Sequence, residues 1–361
     1  DELCWENLSE SHRKELQKVI PGLKAVLAID WTGHHAWETT PFSGTTCNKC
    51  QQSTLPLPVP LVYMNFRVYS SGMTQPKKKA WYDARETSAT EKSALTVVLS
   101  EKDKASLTKM VKGSKQSKDI QIIVPPLRGD IEDLALQHAQ SGNPLSLFLE
   151  HMPPEVLKAM GASLASPPTK KRLITCIVRL SPEKNTRRFV NFLRATKSFW
   201  EAQQWIPLLA GSASDPEYAN LVKAEMKQLC GDHCIILDSF LPQASLVAVL
   251  SCAVVNFHPC AYDAYGMTIM EAGALGIPSI IASGNHVGAS IHVGNGASIE
   301  VEMINDKEES MTDNAVSEAL STLRDPKRLS QIGEEARKRS LAWDEDAYGK
   351  TLLGFIRDMQ S

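Results

Sequence analysis

From residue 173 to residue 340 the chain alternates short apolar, β-branched runs with longer helical patterns, and this alternation constrains its fold more than any other feature. The runs Leu173–Val178, Ile206–Leu209, Cys234–Leu237, Ala253–Phe257, Ser279–Ala282 and Ser298–Met303 read as strands. Helical stretches near 183–200, 215–230, 243–251 and 266–275 lie between them, and patterns near 313–323, 326–340 and 345–359 close the chain. Such alternation predicts a parallel sheet with helices on both faces, an α/β fold. The first half has the same grammar less regularly: Leu23–Ile29, Leu61–Met64, Leu95–Leu99 and Ile120–Val124 read as strands. The stretches 39–60 and 70–92 read as loops, the second carrying Lys77, Lys78 and Lys79 as a solvated run. Paired prolines at Pro167 and Pro168 make a stiff joint. They divide the chain into a first domain over 1–167, a second over 168–342, and a last helix over 343–361.

Composition narrows the function classes. The 361 residues suit two domains. Lys plus Arg is 39 and Asp plus Glu is 41, so a net charge of −2 gives no reason to expect a nucleic-acid partner. Eight cysteines show no disulfide-framework spacing, which fits a reducing compartment. No apolar run approaches the roughly 18 residues of a membrane span. The expected location is the cytoplasm, with association at the cytosolic face of a membrane left open. Because the chain opens on Asp1 and not Met, this says little about targeting segments.

The segment from His258 to Pro278 concentrates the chemistry. It follows the strand Ala253–Phe257, and ligands of open α/β sheets bind beyond the carboxyl ends of strands. Gly266 permits close backbone approach, and the amides of Gly266, Met267 and Thr268 open a helix whose free N–H groups suit a phosphate. Asp263 lies before that helix and Glu271 about one turn inside it. Asp263 could be a helix cap and Glu271 a solvated residue. Against that reading, Glu271 sits among Met270, Ala272, Ala274 and Leu275, where a carboxylate is costly to bury unless a ligand or cation satisfies it.

This segment resembles the donor signature of the retaining GT-B glycosyltransferase family that includes sucrose synthases and many lipid and polysaccharide hexosyltransferases. Two acids separated by seven residues, a small-residue helix, a Gly and a Pro make up the likeness. It extends to Val178–Lys184, similar to the family's first loop, where Arg179 and Lys184 would bind the donor diphosphate. It also extends to Leu208–Gly211, to Asp238–Pro242 with Phe240 beside the nucleobase, to Ala342–Asp344 at the start of the last helix, and to Val124–Asp130 near the linker. The resemblance implies two Rossmann-like domains facing a cleft, with the first expected to be incomplete in this chain and the chain expected to begin inside it. It implies a hexose moved with retention from a UDP- or GDP-linked donor to an acceptor hydroxyl.

The resemblance implies donor contacts at Glu271, Gly266, Met267, Thr268, Gly211 and Phe240, and catalytic roles for Asp263, Arg179 and Lys184. Neither a metal nor a cofactor is expected, since the donor region lacks an Asp-x-Asp motif and cationic side chains would neutralise the leaving group. The acceptor, whether lipid, glycan, protein or small molecule, stays open. Acceptor-side candidates are Asp30, His34, Asn65 and Arg67. Trp31 and Trp37 suit either sugar stacking or a core. Two departures stand out. Asp263 replaces the usual Glu, and Phe66 or a neighbour stands where the family has a His. They motivate an alternative, a non-catalytic relative that binds a sugar nucleotide or serves as a partner subunit. An epimerase of the same fold fits the paired acids less well. Cys47 and Cys50 form half a zinc site that His34, His35 or Cys4 could complete, or else a pair of loop thiols.

Overall fold

The computed structural model describes residues 24–38, 59–73, 75–111, 119–304 and 309–359. The Cys47–Cys50 pair, Cys4 and most of the 39–60 stretch lie outside the described residues. The chain forms two compact units, Asp1–Pro125 with Tyr348–Ser361, and Pro126–Ala347. The division therefore falls at Pro125–Pro126 and not at the Pro167–Pro168 joint. The helices between the two proline pairs pack on the second unit: α4 (Gly129–Gln140) lies against α9 (Gln243–Ser251), and α5 (Pro154–Met160) against β7 (Ile235–Leu237).

In the first unit, β1 (Val26–Ile29), β2 (Leu61–Asn65), β3 (Leu95–Val98) and β4 (Ile120–Ile122) form a parallel sheet in that order. Helix α1 (Asp30–Glu38) follows β1 directly, and α3 (Glu101–Met110) follows β3. The stretch expected to be a loop over 70–92 is mostly helix α2 (Pro76–Lys92). Pro76 stands at its first position, where a missing N–H costs nothing, and Ala, Glu and Lys supply helix propensity without an apolar stripe. Its lysines are exposed, as a solvated run requires.

The second unit holds a six-stranded parallel sheet in the order β10–β9–β8–β5–β6–β7. Its strands are β5 (Leu173–Ile177), β6 (Ile206–Ala210), β7, β8 (Ala253–Phe257), β9 (Ser279–Ala282) and β10 (Ile299–Val301). Each falls on an apolar run read from the sequence. Strand order reverses between β5 and β8, the switch point at which doubly wound sheets bind ligands. The helices are bounded by local chemistry. In α8 (Pro216–Cys230) the Asp215 carboxylate accepts from Tyr218 N at 3.1 Å and Gly231 follows the last turn. In α13 (Pro326–Leu341) Asp325 accepts from Arg328 N at 3.0 Å. The stretch read as one helix over 183–200 is α6 (Arg187–Ala195) and α7 (Lys197–Ala202), parted at Thr196. Among the described residues no helix is long and apolar enough to cross a membrane.

Helix α10 (Met267–Ala274) is pinned against α13 through glycines. A Cβ on Gly273 would stand 2.4 Å from Ser340 Oγ, and one on Gly333 would stand 2.3 Å from the Gly276 carbonyl oxygen. Gly333→Ala should therefore destabilise the protein by roughly 1–3 kcal/mol, since backbone must move. Gly349→Ala in α14 (Glu345–Asp358), where nothing lies within 4 Å, should stabilise by about 0.5–1 kcal/mol through helix propensity. Urea unfolding of both variants checks the opposite signs.

Candidate active site

Two loops meet at the switch point. The first follows β5, runs from Val178, makes a 3-10 turn at Pro182–Lys184 and leaves through Asn185 at φ 51°. The second follows β8 and runs from His258 to Gly266, whose φ of 83° starts α10. A side chain on Gly266 would stand 2.7 Å from Ile269 Cδ1, so both conformation and space require glycine. The loops are stitched together: Asn185 Oδ1 accepts from Ala261 N at 3.4 Å, and Cys260 Sγ donates to the Lys184 carbonyl at 3.4 Å. Behind them the buried Arg188 guanidinium donates to the carbonyls of Pro259 and Ile304.

Asp263 is the meeting point. Lys184 Nζ donates to Asp263 Oδ2 at 2.7 Å, and His258 Nε2 lies 3.2 Å from the same oxygen. The second oxygen accepts from Tyr265 N at 3.4 Å. The Asp263 backbone donates to His286 O and accepts from Gly288 N. Burial pushes the Asp263 carboxyl up, but His258 and Lys184 outweigh it and hold the group well below the usual carboxylate range. Lys184 is the mirror case: burial opposes its charge, and Asp263 restores it and raises its pKa. Asp263 is thus no helix cap, and one of its oxygens is engaged by protein cations.

His258, Cys260 and Asp263 place three metal-capable ligand atoms within 4.8 Å of one another. The set fits a cation poorly. Lys184 already puts a positive charge on the shared oxygen, and burial drives the Cys260 thiol far above its ordinary range, away from thiolate. The pattern Asp344-Glu345-Asp346 opens α14, where Asp344 caps Ala347 N at 2.7 Å and Glu345 accepts from Gly129 N at 3.2 Å.

Glu271 lies on α10, 5% exposed. Among the described residues no hydrogen-bond donor reaches its carboxylate. Burial raises its pKa to about 7, with Arg128 pulling down and Asp130 pushing up. Arg179 is exposed and pairs with Glu183 at 2.7 Å. Gly211 follows β6 at φ 154°, and a Cβ there would stand 1.8 Å from the Val178 carbonyl oxygen, so the Arg179 loop crosses bare backbone. Phe240 is 75% exposed after β7. Met267 is exposed, Thr268 partly so.

The first unit brings some acceptor-side candidates together and removes another. Asp30, at φ 54°, accepts from Phe66 N at 3.2 Å, and burial raises its pKa. Asn65 is buried and accepts from Arg67 N at 3.1 Å, while the Arg67 guanidinium lies 5.8 Å from the Tyr69 ring centre. His34 points inward. It is buried 5.9 Å from Trp37 and 6.2 Å from Tyr63, ring centre to ring centre, and burial lowers its pKa to about 4. Trp37 is likewise core. The sequence reading passed over His258 and Arg128. A His at the carboxyl end of a strand, five residues before Asp263, was the available signal for the first.

Residues 165–339 match the family model of glycosyl transferases group 1. That segment, just under half of the chain, is similar to this family. Solved structures show the GT-B fold over nearly the whole chain. Sucrose-phosphate synthase from Thermosynechococcus elongatus superposes with a TM-score of 0.65 at 16% identity, covering 96% of this chain and 76% of that one. An α,α-trehalose-phosphate synthase from Burkholderia vietnamiensis gives 0.66 at 13% identity, covering 96% and 75%. HepE from Anabaena in complex with UDP gives 0.58 at 14% identity, covering 83% and 72%. No curated protein sequence matches the chain significantly. Within this segment, Lys184, Asp263, Gly266 and Glu271 gather at the switch point, Gly211 shapes the neighbouring loop, and Arg179 and Phe240 stand exposed on adjoining loops.

The raised pKa of Glu271 has a definite sign. Between the ordinary carboxylate range near 4.5 and about 7, the folded state holds a proton that the unfolded state has lost. Stability from this group is therefore present at low pH and lost as pH rises through 7. Glu271→Gln should exceed the wild type at pH 8 by on the order of 1–3 kcal/mol, with the gap closing toward pH 4.5. Chemical denaturation of both proteins at several pH values reads the difference directly.

Proposed function

We propose that the chain is a retaining hexosyltransferase that moves a sugar from a UDP- or GDP-linked donor to an acceptor hydroxyl without a metal. The observation that carries this is the partly buried Lys184 ammonium, held by Asp263 at the switch point beside a helix opened by Gly266. A departing nucleoside diphosphate develops negative charge. Lys184 meets it as a fixed point charge, Arg179 can swing in as a fork, and the amides from Gly266 to Thr268 face it along the helix dipole. Among the described residues Glu271 has no hydrogen-bond donor, and two ribose hydroxyls would supply them. Phe240 is exposed as a stacking face for the base. HepE, of similar fold, has been crystallised with UDP and with UDP and glucose, which supports a nucleotide-sugar donor.

In this reading Asp263 has two tasks. It fixes Lys184, and its second oxygen, met only by a long bond from Tyr265 N, faces a sugar hydroxyl. The occupied state of its first oxygen favours a second reading, a relative that binds the donor without transferring it. Asp30, Asn65 and Arg67 remain the acceptor-side candidates.

Release of nucleoside diphosphate from a panel of UDP- and GDP-sugars, followed alongside the melting midpoint, separates the two readings. Lys184→Ala should lower turnover by roughly two to four powers of ten, the usual loss when a preorganised charge is removed. EDTA should leave turnover unchanged. A donor that raises the midpoint but is never turned over would favour the binding relative. Activity lost with EDTA and restored by Mg²⁺ would overturn the metal-free mechanism.

A further inference from the structure

The second sheet carries a cleft at its other end, where strands begin. It has a volume of about 390 Å³ and is lined among others by Lys171 before β5, Val254 in β8, Pro278 before β9, and Leu329, Glu334 and Arg337 on α13. Each strand between this edge and the switch point rises ~3.3 Å per residue, so the two places lie about 15 Å apart.

The cations of this cleft have no carboxylate of their own. Lys171 makes no hydrogen bond or ion pair among the described residues. Arg337 donates one bond, from Nη2 to the Leu275 carbonyl at 2.8 Å, while its Nε is buried without a partner. The guanidinium packs over the bare backbone of Gly276, its atoms 3.0–3.3 Å from where a Cβ would be. The acid on the rim, Glu334, accepts from Ser330 Oγ at 3.1 Å. His138 on α4, 4% exposed with neither ring nitrogen partnered, stands within reach of both charges. Burial lowers the pKa of His138 to about 4, with Arg337 and Lys171 pushing the same way. Two cations that share a space with apolar walls, neither bonded to a carboxylate among the described residues, are what a bound anion would relieve.

We propose that this cleft is an anion site for a phosphate group, held between Lys171 and Arg337 and separate from the switch-point site. The apolar lining of Val254, Pro278 and Leu329 suits the carbon portion of a small phosphate ester. Occupancy would act on α13 and, through its glycine contacts, on the helix that carries Glu271. The inference does not rest on the donor reading.

Inorganic phosphate serves as the probe, titrated by calorimetry against the whole chain, with chloride matched for ionic strength to remove screening effects. Lys171→Met should weaken phosphate binding at least about tenfold, the loss of one charge-assisted contact. Arg337→Met should do the same if it folds; Lys171 is exposed and unpartnered, so its variant keeps the test sound. Arg179→Ala, at the other end of the sheet, should leave this binding intact. A phosphate effect no larger than that of chloride overturns the proposal. So does binding that survives Lys171→Met, or binding lost in Arg179→Ala, which would place the phosphate at the switch point instead.

Discussion

The arrangement at the switch point depends on one partly buried ion pair, Lys184 with Asp263. Removing a carboxylate from water costs several kcal/mol even after relaxation. Here the cost is met by a lysine from the loop after β5 and a histidine from the loop after β8 itself. Measured against apolar residues of the same shape such a pair adds little net stability, but breaking it by removing one partner costs about 3–5 kcal/mol. Its consequence is therefore positional. With Asp263 bound on its side chain to Lys184 and on its backbone to His286 and Gly288, the loops after β5, β8 and β9 have one mutual placement.

That placement is backed by helix packing. Helix α10 begins at a left-handed glycine facing the loops and is held from behind by α13, which approaches because Gly273, Gly276 and Gly333 carry no side chains. Arg337 donates to the Leu275 carbonyl at the end of α10, a positive charge where the helix dipole is negative. Glu271 is thus presented by a short helix fixed at both ends. A helix of eight residues, about two turns, has little stability of its own, so its tertiary contacts decide where the carboxylate stands.

Much of the second unit was legible in the sequence because its strands are buried on both faces and read as continuous apolar runs. Strand order was not, yet the reversal between β5 and β8 is what makes one site of Lys184 and Asp263, 79 residues apart in the chain. The resemblance singled out Lys184, Asp263 and Glu271 as candidates, since a loop motif is a local pattern. It could not tell that Asp263 would turn its oxygen to Lys184 and His258, because that depends on how the loops are stitched. Helix α2 was misread as loop for a related reason: it has no apolar face to mark its period, and its Pro76 start and helix-forming composition are weaker signals than three consecutive lysines. Likewise His34 looked like an exposed loop residue after a strand. The chain enters α1 at Asp30 without a loop, so the imidazole four residues on turns into the core.

The two acids eight positions apart end in opposite electrostatic states, and the difference bears on which partner each can take. Asp263 meets two nitrogen groups and stays ionised, so it can hold a cation or a hydroxyl without changing its proton count. Glu271 meets none at bonding distance and sits near half-protonation at neutral pH. A neutral acid is a poor acceptor for two hydroxyls, so a ligand that donates to Glu271 must first drive off its proton or bring donors that favour the ionised form. Both follow if the ligand is a vicinal diol whose hydroxyls point at one carboxylate. The same ligand, if anionic at the helix start, meets Lys184 and the Gly266 amides a turn away. One acid prepared as an anchor and the other left unsatisfied is an asymmetry that a folded chain gains nothing from by itself. It becomes favourable only when an occupant spans the cation and the unsatisfied carboxylate together.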